Sequence, residues 1–230
     1  MGLTEPFFGP IFDSDVVDLA SSPSVDVGGH RLRGVEAEWA FTLGVDLHVG
    51  GQGDAPQQLT MQQLIQAIES VTPVIEVVAS RLDVEGLSDA ELGVCGRGPT
   101  VVADQAGHGQ LLMGTQHTVS LADWQKHYSQ DQVAVYVNGS PQATGTPANV
   151  LGNPMVALQW VVNTIPRWYE AGSVGSKAVD GGFVLSAGTV VTTGTMTGIT
   201  PAAPGDAVGV QFGSLGRIAA QLSSTHSAHP

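Results

Sequence analysis

Apolar positions in this chain follow two rhythms. Val133, Val135 and Val137 alternate with Ala134 and Tyr136, the period-two pattern of a half-buried strand. Asn138-Gly139 follows them and predicts a type I′ hairpin turn. Residues 33–47 predict a long strand, and Pro73 opens a second strand-like run, Val74-Ile75-Glu76-Val77-Val78. Helical spacing enters at Leu64, Ile65 and Ile68, behind Thr60-Met61-Gln62-Gln63, a capping-box pattern with Thr60 as N-cap. Asn153-Pro154 predicts a second helix start, carrying Val156, Leu158, Trp160, Val161 and Val162, which Pro166 should end or kink. Residues 1–30 read as loop with a short extended piece at Gly9-Pro10-Ile11-Phe12, and Gly50-Gly51-Gln52-Gly53-Asp54 as a turn. Residues 84–99 read as loop with a short helix, 100–139 as β, and 183–222 as short strands with Gly turns. No repeat of solenoid period is present. The expected fold class is α+β with a β-rich core and a few short helices.

Composition narrows the setting. The 230 residues suit one domain spanning 1–230, with a loose Ser/His tail at 223–230. Hydrophobic residues make up 42% and charged residues 13%, which excludes a disordered chain. Thirty Gly and 13 Pro favour turns and short strands over a helical bundle. A net charge of −13 argues against a nucleic-acid partner, whose phosphates would be repelled. No apolar stretch reaches the ~18 residues of a membrane span. The single cysteine, Cys95, permits no intramolecular disulfide and reads as a small core or loop residue. With no signal peptide visible, a cytoplasmic location is expected.

Two carboxylates interrupt the apolar run Val35-Glu36-Ala37-Glu38-Trp39-Ala40-Phe41. In a strand, residues two apart share a face, so Glu36 and Glu38 should repel each other. A wet strand face would accommodate them and is the commoner reading of the spacing. A divalent cation would do so as well, because hard cations take carboxylate oxygens; Mg²⁺ or Mn²⁺ is the expected ion. Glu76 adds a third acid, alone in the middle of an apolar strand. It is either a third ligand or the partner of Arg81 or Arg33. Three strand-borne glutamates would leave open positions on an octahedral ion for water and a chelating substrate.

Other chemistry finds no support. The chain has no P-loop, no H-E-x-x-H, no G-x-S-x-G and no dinucleotide-binding glycine run after a strand. Its seven histidines lack zinc spacing. His226 and His229 read as tail residues. His30, His108 and His117 are acid–base candidates that read more simply as surface or loop residues.

Several segments together resemble one family. Gly34-Val35-Glu36-Ala37-Glu38-Trp39-Ala40-Phe41 is similar to the G-V-E-A-E-I-A-F of the fumarylacetoacetate hydrolase superfamily, and Ile75-Glu76-Val77-Val78-Ala79-Ser80-Arg81 to its I-E-V-V-D-S-R. Leu151-Gly152-Asn153-Pro154 through Leu158-Gln159-Trp160-Val161-Val162-Asn163-Thr164 resembles its L-G-x-P-x-x-x-L-x-W-L-A-N-T. Val190-Val191-Thr192-Thr193-Gly194-Thr195 and Pro204-Gly205-Asp206 resemble a strand ending in T-G-S and a later P-G-D. Phe8-Gly9-Pro10-Ile11-Phe12-Asp13 is similar to F-G-x-L-x-D. The match runs from about residue 4 to 222 and looks most like the 2-keto-4-pentenoate hydratase and 4-oxalocrotonate decarboxylase branch.

That resemblance implies a β-roll-like core, Mg²⁺ or Mn²⁺ held by Glu36, Glu38 and Glu76, and a 2-oxo acid substrate chelating the ion. It implies Asp13 as the group that moves a proton, and Thr195, Asp104 and Gln105 at the substrate. It also implies a homo-oligomer. The activity it implies is a lyase adding water to a 2-hydroxy-dienoate through a metal-stabilised enolate. Decarboxylation of a vinylogous 2-oxo acid is an alternative, and a non-catalytic homologue that keeps the fold is another. The chain also departs from the family. The given sequence opens at Met1-Gly2-Leu3-Thr4, where the family reads K-x-G-L-T after a helical segment. A second family lysine has no counterpart in Leu82-Asp83-Val84-Glu85-Gly86, and neither Lys126 nor Lys177 lies in a matching segment. Ala79 replaces an acid, and Gly107-His108 departs from the family's run.

Overall fold

Thirteen residues, Arg31–Leu43, form the strand on which the structure is organised (β3). Its odd-numbered side chains Val35, Ala37, Trp39, Phe41 and Leu43 are all fully buried in the main hydrophobic core. The computed structural model describes residues 5–28, 31–49, 58–82, 97–118, 130–168 and 183–224. The expectations for Met1–Thr4, His30, the 50–54 turn, Asp83–Gly86, Cys95, Lys126, Lys177, His226 and His229 lie outside the described residues.

Ahead of β3 come two short strands, β1 (Val16–Asp18) and β2 (Ser24–Asp26), in a region expected to be loop. After it come β4 (Leu47–Val49), α1 (Met61–Ala67), β5 (Ile68–Ser80), α2 (Arg97–Ala103), β6 (His108–Met113) and β7 (His117–Thr118). The second half holds β8 (Val133–Val137), β9 (Ser140–Gly145), α3 (Pro154–Trp168), β10 (Phe183–Leu185), β11 (Val190–Thr192), β12 (Ala207–Phe212) and β13 (Arg217–Ser223). Among the described residues these form a sheet ordered β1-β6-β5-β3-β11, with β7 beside β5. A second sheet runs β2-β13-β12-β8-β9, and β10 pairs with β4. The β1–β6 and β2–β13 pairs are parallel, and the others antiparallel. The α+β, β-rich expectation holds. No helix among the described residues is long and apolar enough to cross a membrane.

Local chemistry explains the elements. Thr60 Oγ1 accepts from the Gln63 amide at 3.3 Å and Gln63 Oε1 accepts from the Thr60 amide at 2.9 Å, the reciprocal capping box that the spacing predicts. Asn138 and Gly139 have φ of 51° and 78°, as a type I′ turn between β8 and β9 requires. Asn163, in the family-like helical motif, accepts from the Leu59 amide at 2.8 Å, and Gln159 donates to the Leu59 carbonyl at 2.9 Å. These bonds tie the entry of α1 to α3.

Five boundaries differ from expectation. Ile68 does not continue the helix; its ψ of 125° opens β5, because it pairs with Leu43 in the long β3–β5 ladder. Pro73 does not open that strand but lies within it, opposite Trp39. The Pro73 carbonyl accepts from Gly114 at the break between β6 and β7, so its missing N–H also faces that gap and forfeits no ladder bond. Residues 100–103 are helical rather than β, in α2, whose first turn tolerates Pro99. The helix α3 runs past Pro166 to Trp168, since proline in the last turn removes just one bond. The last strand extends through Ser223.

Candidate metal centre and active site

The second face of the first sheet carries the polar cluster. In the β3–β5 ladder Glu36 pairs with Glu76, and Glu38 with Val74; in β5–β6, Glu76 pairs with Leu111 and Val74 with Met113. Residues opposite one another share a face. Ala40, Val74 and Leu111, packed with Ile11 and Met113, therefore floor this face with apolar surface beside the acids. One oxygen from each of Glu36, Glu38 and Glu76 lies within 4.8 Å of the others. The structure thus converges three acids drawn from two strands and places none of them on an open wet face: Glu38 is 2% exposed and the other two are half-buried.

Burial and mutual repulsion set their electrostatics. Burial, reinforced by the charge of Glu38, pushes the Glu36 carboxyl up to about 8. Burial and the charge of Glu36 push Glu76 up to about 7. Glu38 is held well above the usual carboxylate range, first by burial and then by Glu76. Opposing this, Gly194 N–H donates to Glu38 Oε2 at 3.0 Å, and the Thr192 side chain also hydrogen-bonds this carboxylate. Both donors come from β11 and the turn after it, which runs beside β3 with Thr192 opposite Ala40. An all-oxygen donor set of this kind fits a hard divalent cation, which would remove the repulsion that the sheet imposes.

Neither Arg81 nor Arg33 is the group found against Glu76. His108 takes that place, with Nδ1 at 2.7 Å from Glu76 Oε1. The sequence places His108 on the surface or in a loop; the structure buries it, 2% exposed, at the start of β6. A register shift between Val77 and Val78 is responsible: His108, not Gly109, stands opposite Val78 and so joins the face of Glu76. Burial holds the imidazole below its ordinary pKa, with the Arg81 charge acting the same way and Asp15 acting against both. No sequence period marks His108, because the bulge sets its face. His117 lies half-buried in β7.

The remaining sequence candidates lie at different depths. Asp13 is exposed, in the single 3₁₀ turn Asp13–Asp15 that packs against β6. Thr195 follows Gly194, and its Oγ1 accepts from the Thr197 and Gly198 amides at 3.2 and 2.8 Å. Asp104 is buried, and its carboxylate accepts from Ser80 Oγ at 2.8 Å, from the Arg81 amide at 3.1 Å and from the Arg81 guanidinium at 3.5 Å. Arg81 also donates to the His108 carbonyl at 2.9 Å. Gln105 and Ala106 adopt φ of 50° and 63°, and Gln105 Nε2 donates to the Pro10 carbonyl at 3.4 Å. Such left-handed, non-glycine backbone persists only where its surroundings hold it, here the latch at Asp104.

No protein-family model matches the chain. It is 25% identical over 224 residues to a 2-keto-4-pentenoate hydratase of Paraburkholderia xenovorans (strain LB400), covering 97% of this chain and 71% of that protein. A solved 4-oxalocrotonate decarboxylase from Pseudomonas putida G7, complexed with magnesium and adipate, superposes with a TM-score of 0.69 at 25% identity, over 96% of this chain and 72% of that one. A Yersinia pestis CO92 protein assigned to the fumarylacetoacetate hydrolase family shares the fold, with a TM-score of 0.56 at 15% identity over 90% of this chain and 81% of that one. In sequence the chain is thus similar to hydratases and a decarboxylase, which supports an enzyme, and the resemblance to the fumarylacetoacetate hydrolase superfamily holds in fold.

Proposed function

We propose that this chain, a relative of hydratases and a decarboxylase of the fumarylacetoacetate hydrolase superfamily, is a metal-dependent lyase of the 2-keto-4-pentenoate hydratase type. The observation that carries this reading is the Glu36–Glu38–Glu76 cluster, whose oxygens lie within 4.8 Å of one another on an otherwise apolar sheet face. Those residues hold Mg²⁺ or Mn²⁺. When bound, the cation supplies Lewis acidity to the carboxylate and 2-oxo oxygens of a chelating substrate.

The chain's own groups do the rest. Gly194 N–H and Thr192 fix the Glu38 carboxylate. Asp13, exposed beside the face, moves a proton at the substrate carbon chain. Thr195 and Gln105 contact the substrate, and Asp104 serves it by latching the loop that carries Gln105. The 2-hydroxyl gives up its proton and a proton reaches C5, giving a 2-oxo-3-enoate; water then adds its oxygen to C4 while a proton reaches C3. The same reading carries a homo-oligomer working in the cytoplasm.

A second reading changes the reaction: decarboxylation of a vinylogous 2-oxo acid. The likeness to the 4-oxalocrotonate decarboxylase structure favours it. Product analysis separates the two, because hydration keeps every carbon and decarboxylation releases CO₂. The test is loss of dienoate ultraviolet absorbance with and without Mg²⁺ or Mn²⁺. Metal-dependent loss supports a lyase; no turnover of any 2-hydroxy-dienoate or 2-oxo acid with either metal overturns it.

A further inference from the structure

We propose that His108 is a positioning residue for the metal centre: its Nδ1–H holds Glu76 Oε1 and thereby presents the other carboxylate oxygen to the cation. The inference rests on the metal reading above and adds a residue to it.

Four observations converge on this role. The Nδ1–Oε1 distance is 2.7 Å, short enough for a charge-assisted hydrogen bond. The His108 side chain is 3% exposed, so water does not compete for the imidazole. Its other nitrogen, Nε2, is buried with no hydrogen-bond partner among the described residues. A metal-bound carboxylate accepts and does not donate, so Nδ1 carries the proton and Nε2 is a bare acceptor. An orphaned acceptor is easier to bury than an orphaned N–H. Finally, the backbone is arranged to bring the ring there. The bulge between Val77 and Val78 turns His108 onto the face of Glu76, and the Arg81 guanidinium holds the His108 carbonyl at 2.9 Å. Arg81 is in turn fixed by Asp104. The latch therefore runs from Asp104 through Arg81 and His108 to Glu76.

Hydrogen bonds that orient a metal ligand commonly change metal affinity by about 10- to 100-fold when removed. Mn²⁺ titration of the metal-free full chain, with free Mn²⁺ read by electron paramagnetic resonance, measures this without turnover. His108→Leu removes the donor. His108→Asn returns an amide N–H near the Nδ1 position, whereas His108→Gln sets its amide one bond too far out. The expected result is about a tenfold or greater loss of Mn²⁺ affinity in His108→Leu and His108→Gln, with His108→Asn restored most of the way to the parent. His108→Gln carries the comparison if His108→Leu does not fold. Parent-like affinity in His108→Gln, or equal losses in His108→Asn and His108→Gln, overturns the inference. Failure of the underlying metal reading looks different: the parent itself takes up no Mn²⁺, or Glu36→Gln binds it as the parent does, and both statements fall together.

Discussion

Glu36 and Glu76 stand directly opposite one another in the antiparallel β3–β5 ladder. Like charges in that position destabilise a strand pair. Here the third acid, Glu38, is one pair further along the same face, so the repulsion has three members. Protons relieve it in the metal-free protein, and a bound cation would do the same.

Replacing one member with a neutral isostere should separate these two states. Glu38→Gln is expected to raise the melting temperature of the metal-free protein, because it removes the cost of keeping this buried carboxyl protonated while retaining an acceptor for Gly194. It is also expected to abolish the rise that Mg²⁺ produces in the parent. Differential scanning fluorimetry with and without Mg²⁺ reads both. An undiminished Mg²⁺ response in this variant would remove Glu38 from the ligand set.

Metal-free stability should fall with rising pH. Glu36 and Glu76 titrate at about 8 and about 7 in the fold, against an ordinary value of 4.5. Between those limits the folded chain binds more protons than the unfolded one. The contribution is therefore full below 4.5 and is lost as pH rises through the two folded values. Thermal unfolding in a chelator should show a melting temperature declining from about pH 5 to about pH 9, and saturating Mg²⁺ should flatten the decline. A chelated protein that is equally stable across the range would contradict the raised carboxyls.

Gly34 lies in β3, two residues before Glu36, and should tolerate no side chain. Its φ is +149°, and an added Cβ would collide with the Thr200 carbonyl. That carbonyl accepts from the Val35 amide at 2.8 Å, so it cannot retreat without breaking the bridge beside Glu36. Gly34→Ala is expected to cost about 2 kcal/mol in denaturant unfolding and to weaken Mg²⁺ binding as well. Unchanged stability would mean that the strand entry yields more readily than its packing implies.

The Asp104 latch gives a test remote from the metal. Asp104→Ala removes one acceptor of the Ser80 hydroxyl and the acceptor of the Arg81 amide and should cost about 2 kcal/mol. The left-handed pair Gln105–Ala106 loses its anchor with it. The expected kinetic effect is a higher KM for a 2-oxo acid substrate, and the expected structural one is faster amide exchange through residues 104–108. Parent-like exchange there would show that the loop is held by other contacts.

Much of this arrangement is legible in the order of residues. The alternation at 133–137 and Asn138-Gly139 specify a hairpin through local backbone preference, and the hairpin is there. Thr60 and Gln63 specify a helix start through bonds between residues three apart. The i, i+2 spacing of Glu36 and Glu38 puts both on one face because a strand has period two. Boundaries that depend on a partner strand are less legible. Ile68 fits a helical face by spacing, but pairing with Leu43 takes it into β5, and the gap between β6 and β7 lets Pro73 sit mid-strand.

Strand period alone made the Glu36–Glu38 pair and the lone Glu76 visible, and motif likeness joined them, because those signals are carried by neighbours in the chain. Burial is another matter. Whether that strand face was wet or closed depended on Val74 and Leu111 beside the acids and on Gly194 arriving from β11. The place of His108 depended on a single-residue register shift, which reverses the facing of a side chain without leaving a trace in the hydrophobic pattern. Contacts between residues 32 positions apart are set by strand pairing, and so the acids could be read from the sequence while the group that holds one of them could not.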